Sequence, residues 1–438
     1  MLDINLLRKA PEEVAAALKK RGFELDFTEF LKFDQTRREL LHQTEELKAE
    51  RNRQSKEIPA MKKAGEDTTA LLAEMKELAD KIKENDSKLT KLNAEQEAFV
   101  AALPNIPAEG VVAGGKEANQ VVKEVGKKPE FDFEPKHHVD LAKDLALIDY
   151  ERGVKLSGNG YWLYTGLGAR LEWALLNYFI DSHVQAGYEM ILPPHILLYD
   201  CGYTAGQFPK FTEDSFVLGG QDSVSARDKE LGRSFSHYLL PTSETALVNL
   251  YRDEILDESV LPLKYFAYTP CYRREAGSYR AEERGMIRGH QFNKVEMFQF
   301  AKPEDSPAAL DELVERACKL VEDLGLHFRL SHLAAGDVSH SMQETYDVEV
   351  WIPSMNDYKE VSSASNAGDY QARRGQLRFR REGAKKPEYL HTLNASGLAT
   401  SRVFPAILEQ NQQADGSVVV PEKLRPYLGG LEVIQTRR

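Results

Sequence analysis

The stretch Thr269-Pro270-Cys271-Tyr272-Arg273-Arg274-Glu275-Ala276-Gly277-Ser278-Tyr279, continued by Arg284-Gly285-Met286-Ile287-Arg288-Gly289-His290-Gln291-Phe292-Asn293-Lys294-Val295-Glu296, reads as strand, loop, strand. Side chains alternate across a strand, so Arg273 and Glu275 share one face, and Phe292, Lys294, Glu296 and Phe298 share one on the return. If the two faces coincide, a guanidinium, carboxylates and an aromatic ring meet on one surface. A planar cation suits phosphate or carboxylate, and an aromatic ring can stack on a base.

Outward from this hairpin the pattern stays mixed. Helical periodicity covers 168–187, 243–256 and 306–325. Strand-like runs cover 188–193, 264–275, 291–301, 345–352 and 357–363. Strand follows strand without regular helical crossovers, which predicts an α+β fold around an antiparallel sheet rather than a doubly wound one. No Gly-x-Gly-x-x-Gly or Walker-type loop is present, so a nucleotide would have to be held by another scaffold.

The N-terminal part differs. Residues 27–102 are charge-rich, with Gly65 the sole glycine and Pro59 the sole proline. Leu71, Met75, Leu78, Ile82, Asn85, Leu89, Leu92, Gln96 and Phe99 alternate spacings of four and three, the seam of a coiled coil. Leu40, Thr44, Leu47, Arg51, Gln54, Ile58 and Met61 repeat it. Ala64-Gly65-Glu66-Asp67 reads as the turn of an antiparallel helical hairpin, and Pro59 predicts a kink near its tip. The expected organisation is an N-terminal domain over 1–107 with the hairpin at about 27–102, a Gly-, Lys- and Glu-rich linker over 108–135, and a larger domain over 136–438.

Bulk properties set limits. A chain of 438 residues exceeds one ordinary core. No apolar run approaches the roughly 20 residues of a membrane helix, and Met1-Leu2-Asp3-Ile4-Asn5 resembles neither a secretory signal nor a transit peptide, so cytoplasmic residence is expected. Cys201, Cys271 and Cys318 are isolated, and no Cys/His cluster has zinc spacing, so zinc is not expected. A net charge of −12 disfavours nucleic acid only weakly, because local patches decide binding. Residues 31–64 hold nine Lys/Arg against six Asp/Glu, whereas 66–102 hold five against nine. A solvated helix face explains this excess as readily as a phosphate-binding one.

Tyr272-Arg273-Arg274-Glu275 with the His290-Gln291-Phe292 strand resembles motif 2 of class II aminoacyl-tRNA synthetases. Arg284-Gly285-Met286-Ile287-Arg288 and Gln291-Phe292-Asn293-Lys294-Val295-Glu296 resemble the seryl family in particular. Gly168-Ala169-Arg170-Leu171-Glu172 followed by Ile191-Leu192-Pro193-Pro194 is similar to the dimer-forming motif 1. Pro241-Thr242-Ser243-Glu244 resembles the serine loop, Glu360-Val361-Ser362-Ser363-Ala364-Ser365-Asn366 the metal-binding strand, Leu393 to Arg402 motif 3, and Leu424-Arg425-Pro426-Tyr427-Leu428-Gly429-Gly430 the family's tail. The likeness spans nearly the whole chain.

This resemblance implies a class II catalytic core with a tRNA-binding arm, working as a homodimer through residues 160–200. Implied substrates are ATP, L-serine and tRNA(Ser), with tRNA(Sec) a further acceptor, and Mg²⁺ is the implied metal. Arg273 would bridge the α-phosphate and the serine carboxylate, and Arg402 would share the catalytic role. Arg274, Glu275, Arg288, Phe292, Glu360, Val361, Ser362, Ser363 and Arg402 would complete the ATP site, with Glu360 and Ser363 as Mg²⁺ ligands. Thr242, Ser243, Glu244, Glu296, Asn394 and Ser396 would surround serine with Arg273. Lys48, Arg51, Arg53 and Lys56 on the arm, and Tyr279, Arg280 and Arg284 on the motif 2 loop, would contact tRNA.

Individual residues keep plainer readings. Phe292 could be ordinary core, and Thr242 could cap the helix expected after it. An amino acid:carrier-protein ligase would lack the arm, and a non-catalytic relative would have lost Arg273, Glu275 or Arg402. The chain departs from the family at Ala395 and Ser401, where glycine is usual, at Ser243 and Thr245, and at Pro405, which predicts a helix beginning close to it. The departures point to an active paralogue with an altered serine pocket.

Overall fold

The computed structural model describes residues 1–219, 224–275 and 285–435. The chain divides into two compact units, one comprising Leu2–Lys19 and Phe23–Pro104, the other built almost wholly from Asn105–Arg438.

In the first unit two long helices, α1 (Thr28–Ala64) and α2 (Thr69–Ala102), pair along the expected seam. Thr44, Ile82 and Leu89 are buried, and the other seam positions are half-buried between exposed neighbours, apart from Phe99. Phe99 is 37% exposed yet stacks on Phe30 with ring centroids 4.5 Å apart. Gly65 ends α1 in the left-handed region at φ 75°, where its N–H and that of Glu66 return to the carbonyls of Lys62 and Met61. The helix runs unbroken through Pro59, which is exposed, so its missing hydrogen bond falls on the solvated side.

The second unit is organised on an eight-stranded sheet. Its strands are β1 (Gln120–Val125), β2 (Glu189–Met190), β3 (Leu263–Tyr272), β4 (Gln291–Ala301), β5 (Phe328–His332), β6 (Glu344–Ile352), β7 (Asp357–Asn366) and β8 (His391–Ala399). Their order is β1-β5-β6-β7-β8-β4-β3-β2, antiparallel throughout except for the edge pair of β2 with β3. Three helices, α3 (Gly166–Gln185), α4 (Ser306–Asp323) and α5 (Thr400–Gln410), pack on it. Apolar side chains of β4 divide between its two faces. Val295 and Met297 join the main core beneath α3, and Phe298 and Phe300 join a smaller cluster with Tyr265 and Phe379.

Four expectations need correcting. The stretch 108–135 is more than a linker, because β1 pairs antiparallel with β5. The strand expected over 188–193 is confined to Glu189–Met190. The helix expected over 243–256 is reduced to Glu244–Leu247; beyond it the backbone winds in tighter turns, with Asn249 N–H on Ala246 O at 3.1 Å and Leu250 N–H on Leu247 O at 3.2 Å, until Asp253 N–H leaves for Gly375 O at 2.8 Å. Pro405 lies in the interior of α5 rather than its first turn.

Candidate active site

Arg273 follows directly on β3, Phe292 lies near the start of β4, and Arg402 sits in the first turn of α5. With Arg288, Glu275 and Glu360 they line one cleft of about 690 Å³ including its mouth, together with Lys294, Ser396 and Ser401. Three distant segments therefore bring three guanidinium groups to a single cavity. The Arg273 guanidinium lies 5.3 Å from the centre of the Phe292 ring, and its Nε donates to Pro241 O at 3.3 Å. Arg402 Nη1 donates to Glu360 O at 2.8 Å and lies 3.4 Å from Glu360 Oε2.

An acidic niche adjoins this cleft. Glu296 is fully buried and accepts from Asn394 Nδ2 at 2.9 Å and from Ser396 Oγ at 3.4 Å. Its other partner is Lys294, which the sequence reading placed on the same strand face without giving it a role. Lys294 is buried, and its Nζ donates to Thr242 Oγ1 at 2.8 Å. Thr242 is therefore turned toward the niche, and its Oγ1 also accepts from Glu244 N–H at 3.3 Å. Glu244 accepts from Gln371 Nε2 at 2.7 Å. Burial, reinforced by the charge of Glu296, pushes the Glu244 carboxyl up to about 7.

Other expected residues stand apart. Arg274 is exposed, with its N–H on Asp214 O at 2.9 Å. Val361 packs in the core. Ser362 Oγ donates to Ser396 O at 2.6 Å, and Ser243 Oγ to Ala267 O at 3.4 Å. Tyr279, Arg280 and Arg284 lie outside the described residues. On the arm, Arg53 and Lys56 are exposed, Arg51 is half-buried on the seam, and Lys48 Nζ bonds Asp86 Oδ1 on α2 at 2.7 Å.

Two of the departures have definite places. Ser401 lines the cleft. Ala395 packs with Leu393 and Met297 in the core, on the face of β8 opposite Asn394 and Ser396, and its φ is not positive. Its methyl group therefore neither strains the backbone nor enters the acidic niche.

Glu360 in the cleft and Ser363 three residues on carry oxygen donors of the kind a hard divalent cation takes. Ser363 Oγ donates its hydrogen to Asp347 Oδ1 at 2.6 Å, which leaves its lone pairs available. Burial and the charge of Glu360 raise the Asp347 carboxyl well above the usual range, a concentration of negative charge that a hard cation would relieve.

Two family models match the chain: the seryl-tRNA synthetase N-terminal domain over residues 1–107 and the tRNA synthetase class II core domain (G, H, P, S and T) over residues 228–411. Serine–tRNA ligase 2 of Clostridium acetobutylicum is 60% identical over 430 residues, covering 98% of this chain and 99% of its own. A serine–tRNA ligase of Nitratidesulfovibrio vulgaris is 46% identical over 434 residues, covering 99% of each chain. Among solved structures, seryl-tRNA synthetase from Pyrococcus horikoshii complexed with ATP superposes with a TM-score of 0.90 at 32% identity over 100% of both chains.

Proposed function

The chain belongs to the seryl-tRNA synthetase family of serine–tRNA ligases, and we propose that its cleft and acidic niche activate L-serine with ATP and pass the seryl group to tRNA(Ser), with tRNA(Sec) a further acceptor. The observation that carries this reading is the convergence of Arg273, Arg288 and Arg402 on one cavity beside buried Glu244 and Glu296.

In this reading no side chain acts as nucleophile. The serine carboxylate attacks the α-phosphorus in line. A carboxylate oxygen–phosphorus bond forms, the bond to the β-phosphate's bridging oxygen breaks, and pyrophosphate leaves. A ribose hydroxyl of the terminal adenosine of tRNA then attacks the adenylate carbonyl and releases AMP. The protein supplies position and charge. Arg273 would bridge carboxylate and α-phosphate, Phe292 would stack on adenine, and Arg288 and Arg402 would hold the outer phosphates. Glu244 and Glu296 receive the ammonium and hydroxyl of serine, and the hydroxyl accounts for the niche being polar. Glu360 and Ser363 would hold Mg²⁺, which supplies positive charge to the phosphates.

A homodimer is part of the proposal. α3 and the segment after it expose Trp173 (53%), Val184 (54%), Leu192 (74%) and Ile196 (50%), large apolar groups that a second copy would cover. Among the described residues no helix is long and apolar enough to cross a membrane, and cytoplasmic residence accords with the proposed work on tRNA. ATP–pyrophosphate exchange with each amino acid in turn, followed by charging of total tRNA, tests the reading. Exchange is expected with serine alone, and its absence would overturn the assignment.

A further inference from the structure

α3 carries Glu172 and His183 eleven residues apart. Three helical turns separate them, so they share a face. Both are buried, at 3% and 0% exposed. Glu172 Oε1 accepts from Thr400 Oγ1 at 2.6 Å and from Asn293 Nδ2 at 2.8 Å. His183 Nε2 donates to Gly397 O at 3.0 Å. The fit at Gly397 is close: a β-carbon there would stand 2.3 Å from His183 Nε2.

Both contacts fall on one short segment, 397–400. At one end, Gly397 adjoins Ser396, which bonds Glu296 in the acidic niche. At the other, Thr400 begins the helix whose first turn puts Ser401 and Arg402 into the cleft. Asn293, the second donor to Glu172, stands between Phe292 and Lys294 on β4. One helix face therefore grips both ends of the strand-to-helix join between the serine side and the nucleotide side.

Both choices carry a desolvation cost. Burial holds the His183 imidazole down to about 4, so the ring is neutral with one N–H to give, and its buried Nδ1 has no hydrogen-bond partner. Burial also pushes the Glu172 carboxyl up to about 7, against the hydrogen bonds from Thr400 and Asn293. Apolar side chains at both positions would avoid these desolvation costs.

We propose that Glu172 and His183 are positioning residues that set the two ends of 397–400 separately, His183 placing Ser396 against serine and Glu172 placing Arg402 and β4 against ATP. The proposal rests on the reading of the site given above.

Steady-state pyrophosphate exchange on the full chain tests it. His183→Phe fills the space but removes the donor; KM for serine is expected to rise at least tenfold with KM for ATP within twofold. Glu172→Leu should do the reverse. His183→Gln, which offers an N–H at similar reach, and Glu172→Gln, which retains an acceptor, should recover most of the loss. If Glu172→Leu fails to fold, Thr400→Val removes the same donor without touching α3, and its KM for ATP gives the answer. Equal rises in both KM values, or a fall in kcat with neither KM changed, would mark both groups as merely structural and overturn the proposal. Absence of serine-dependent exchange in the unsubstituted chain would instead overturn the underlying reading.

Discussion

Arg288 and Glu275 are ion-paired across the cleft, with Nη2 2.5 Å from Oε2. The group assigned to the outer phosphates thus occupies the carboxylate assigned to the adenine amine. ATP would separate the pair, drawing Arg288 to phosphate and freeing Glu275 to accept from the base. A charge-assisted hydrogen bond contributes about 1.5–3 kcal/mol, so Glu275→Ala should raise KM for ATP roughly ten- to a hundredfold. It should also erode the preference for ATP over GTP. Arg288→Ala should raise KM for ATP while leaving that preference intact. Equal discrimination by both variants would remove Glu275 from base recognition.

Serine binding should depend on pH through Glu244. Its carboxyl, ordinarily at 4.5, is raised to about 7 in the fold. The folded state therefore favours the proton, and this group's contribution to stability is complete below about 4.5 and lost as pH rises through 7. Glu172, also raised to about 7 by burial, adds to the same loss. Binding of serine runs the other way, since the ionised carboxylate is the better partner for an ammonium group or hydroxyl. The serine dissociation constant, measured by calorimetry, should fall from pH 6 to pH 8 with uptake of serine releasing a proton. Glu244→Gln should flatten that slope. A slope that survives the substitution belongs to another group.

Lys294 should matter to folding as well as to the reaction. Removing one member of a buried ion pair leaves the other uncompensated, at a cost of about 3–5 kcal/mol. Lys294→Met should lower stability to denaturant by that order. Adding Glu296→Gln should recover part of the loss, because the orphaned charge is gone, but not serine activation. A double variant no more stable than the single one would show that the pair is not coupled.

How much the sequence disclosed depended on where the causes lie. The heptad placed both arm helices and their turn, because seam burial follows from local spacing. Alternation along β4 put Phe292, Lys294 and Glu296 on one face for the same reason. β1 escaped notice since most of its residues are exposed, Val121 and Val122 at 50% and 55%. It is a strand only because β5 offers it a backbone edge. Lys294 reads as a solvated lysine until Thr242 and Glu296 close around it, and His183 reads as a polar residue near a helix end until Gly397 lies against it. Such roles arise from partners far away in the chain.

The arm should govern tRNA affinity without touching amino acid activation. Arg53 and Lys56 are exposed, with Arg53 paired to Glu50 on its own helix, whereas Lys48 is tied across the hairpin to Asp86. Each lost phosphate contact should reduce the slope of log affinity against log salt by about 0.7–0.9. Arg53→Gln with Lys56→Gln should therefore raise KM for tRNA and flatten its salt dependence more than Lys48→Gln does. Pyrophosphate exchange should be unchanged in all three. Loss of exchange in any of them would mean the arm does more than hold tRNA.

Ala395 should prove a packing residue despite its place within motif 3. Along β8, Asn394 and Ser396 bond Glu296, whereas Leu393 and Ala395 belong to the core cluster on the opposite face. The Ala395 methyl therefore cannot narrow the serine niche by its own bulk. Glycine in a strand interior costs roughly 0.5–1 kcal/mol relative to alanine, so Ala395→Gly should lower stability by that much. KM for serine and inhibition by serine analogues should both stay within twofold. Ser401 faces the cleft instead, and Ser401→Gly should change KM for ATP, not KM for serine. A severalfold shift in serine KM on restoring glycine at 395 would mean that the backbone of β8, rather than any side chain, sets the width of the niche.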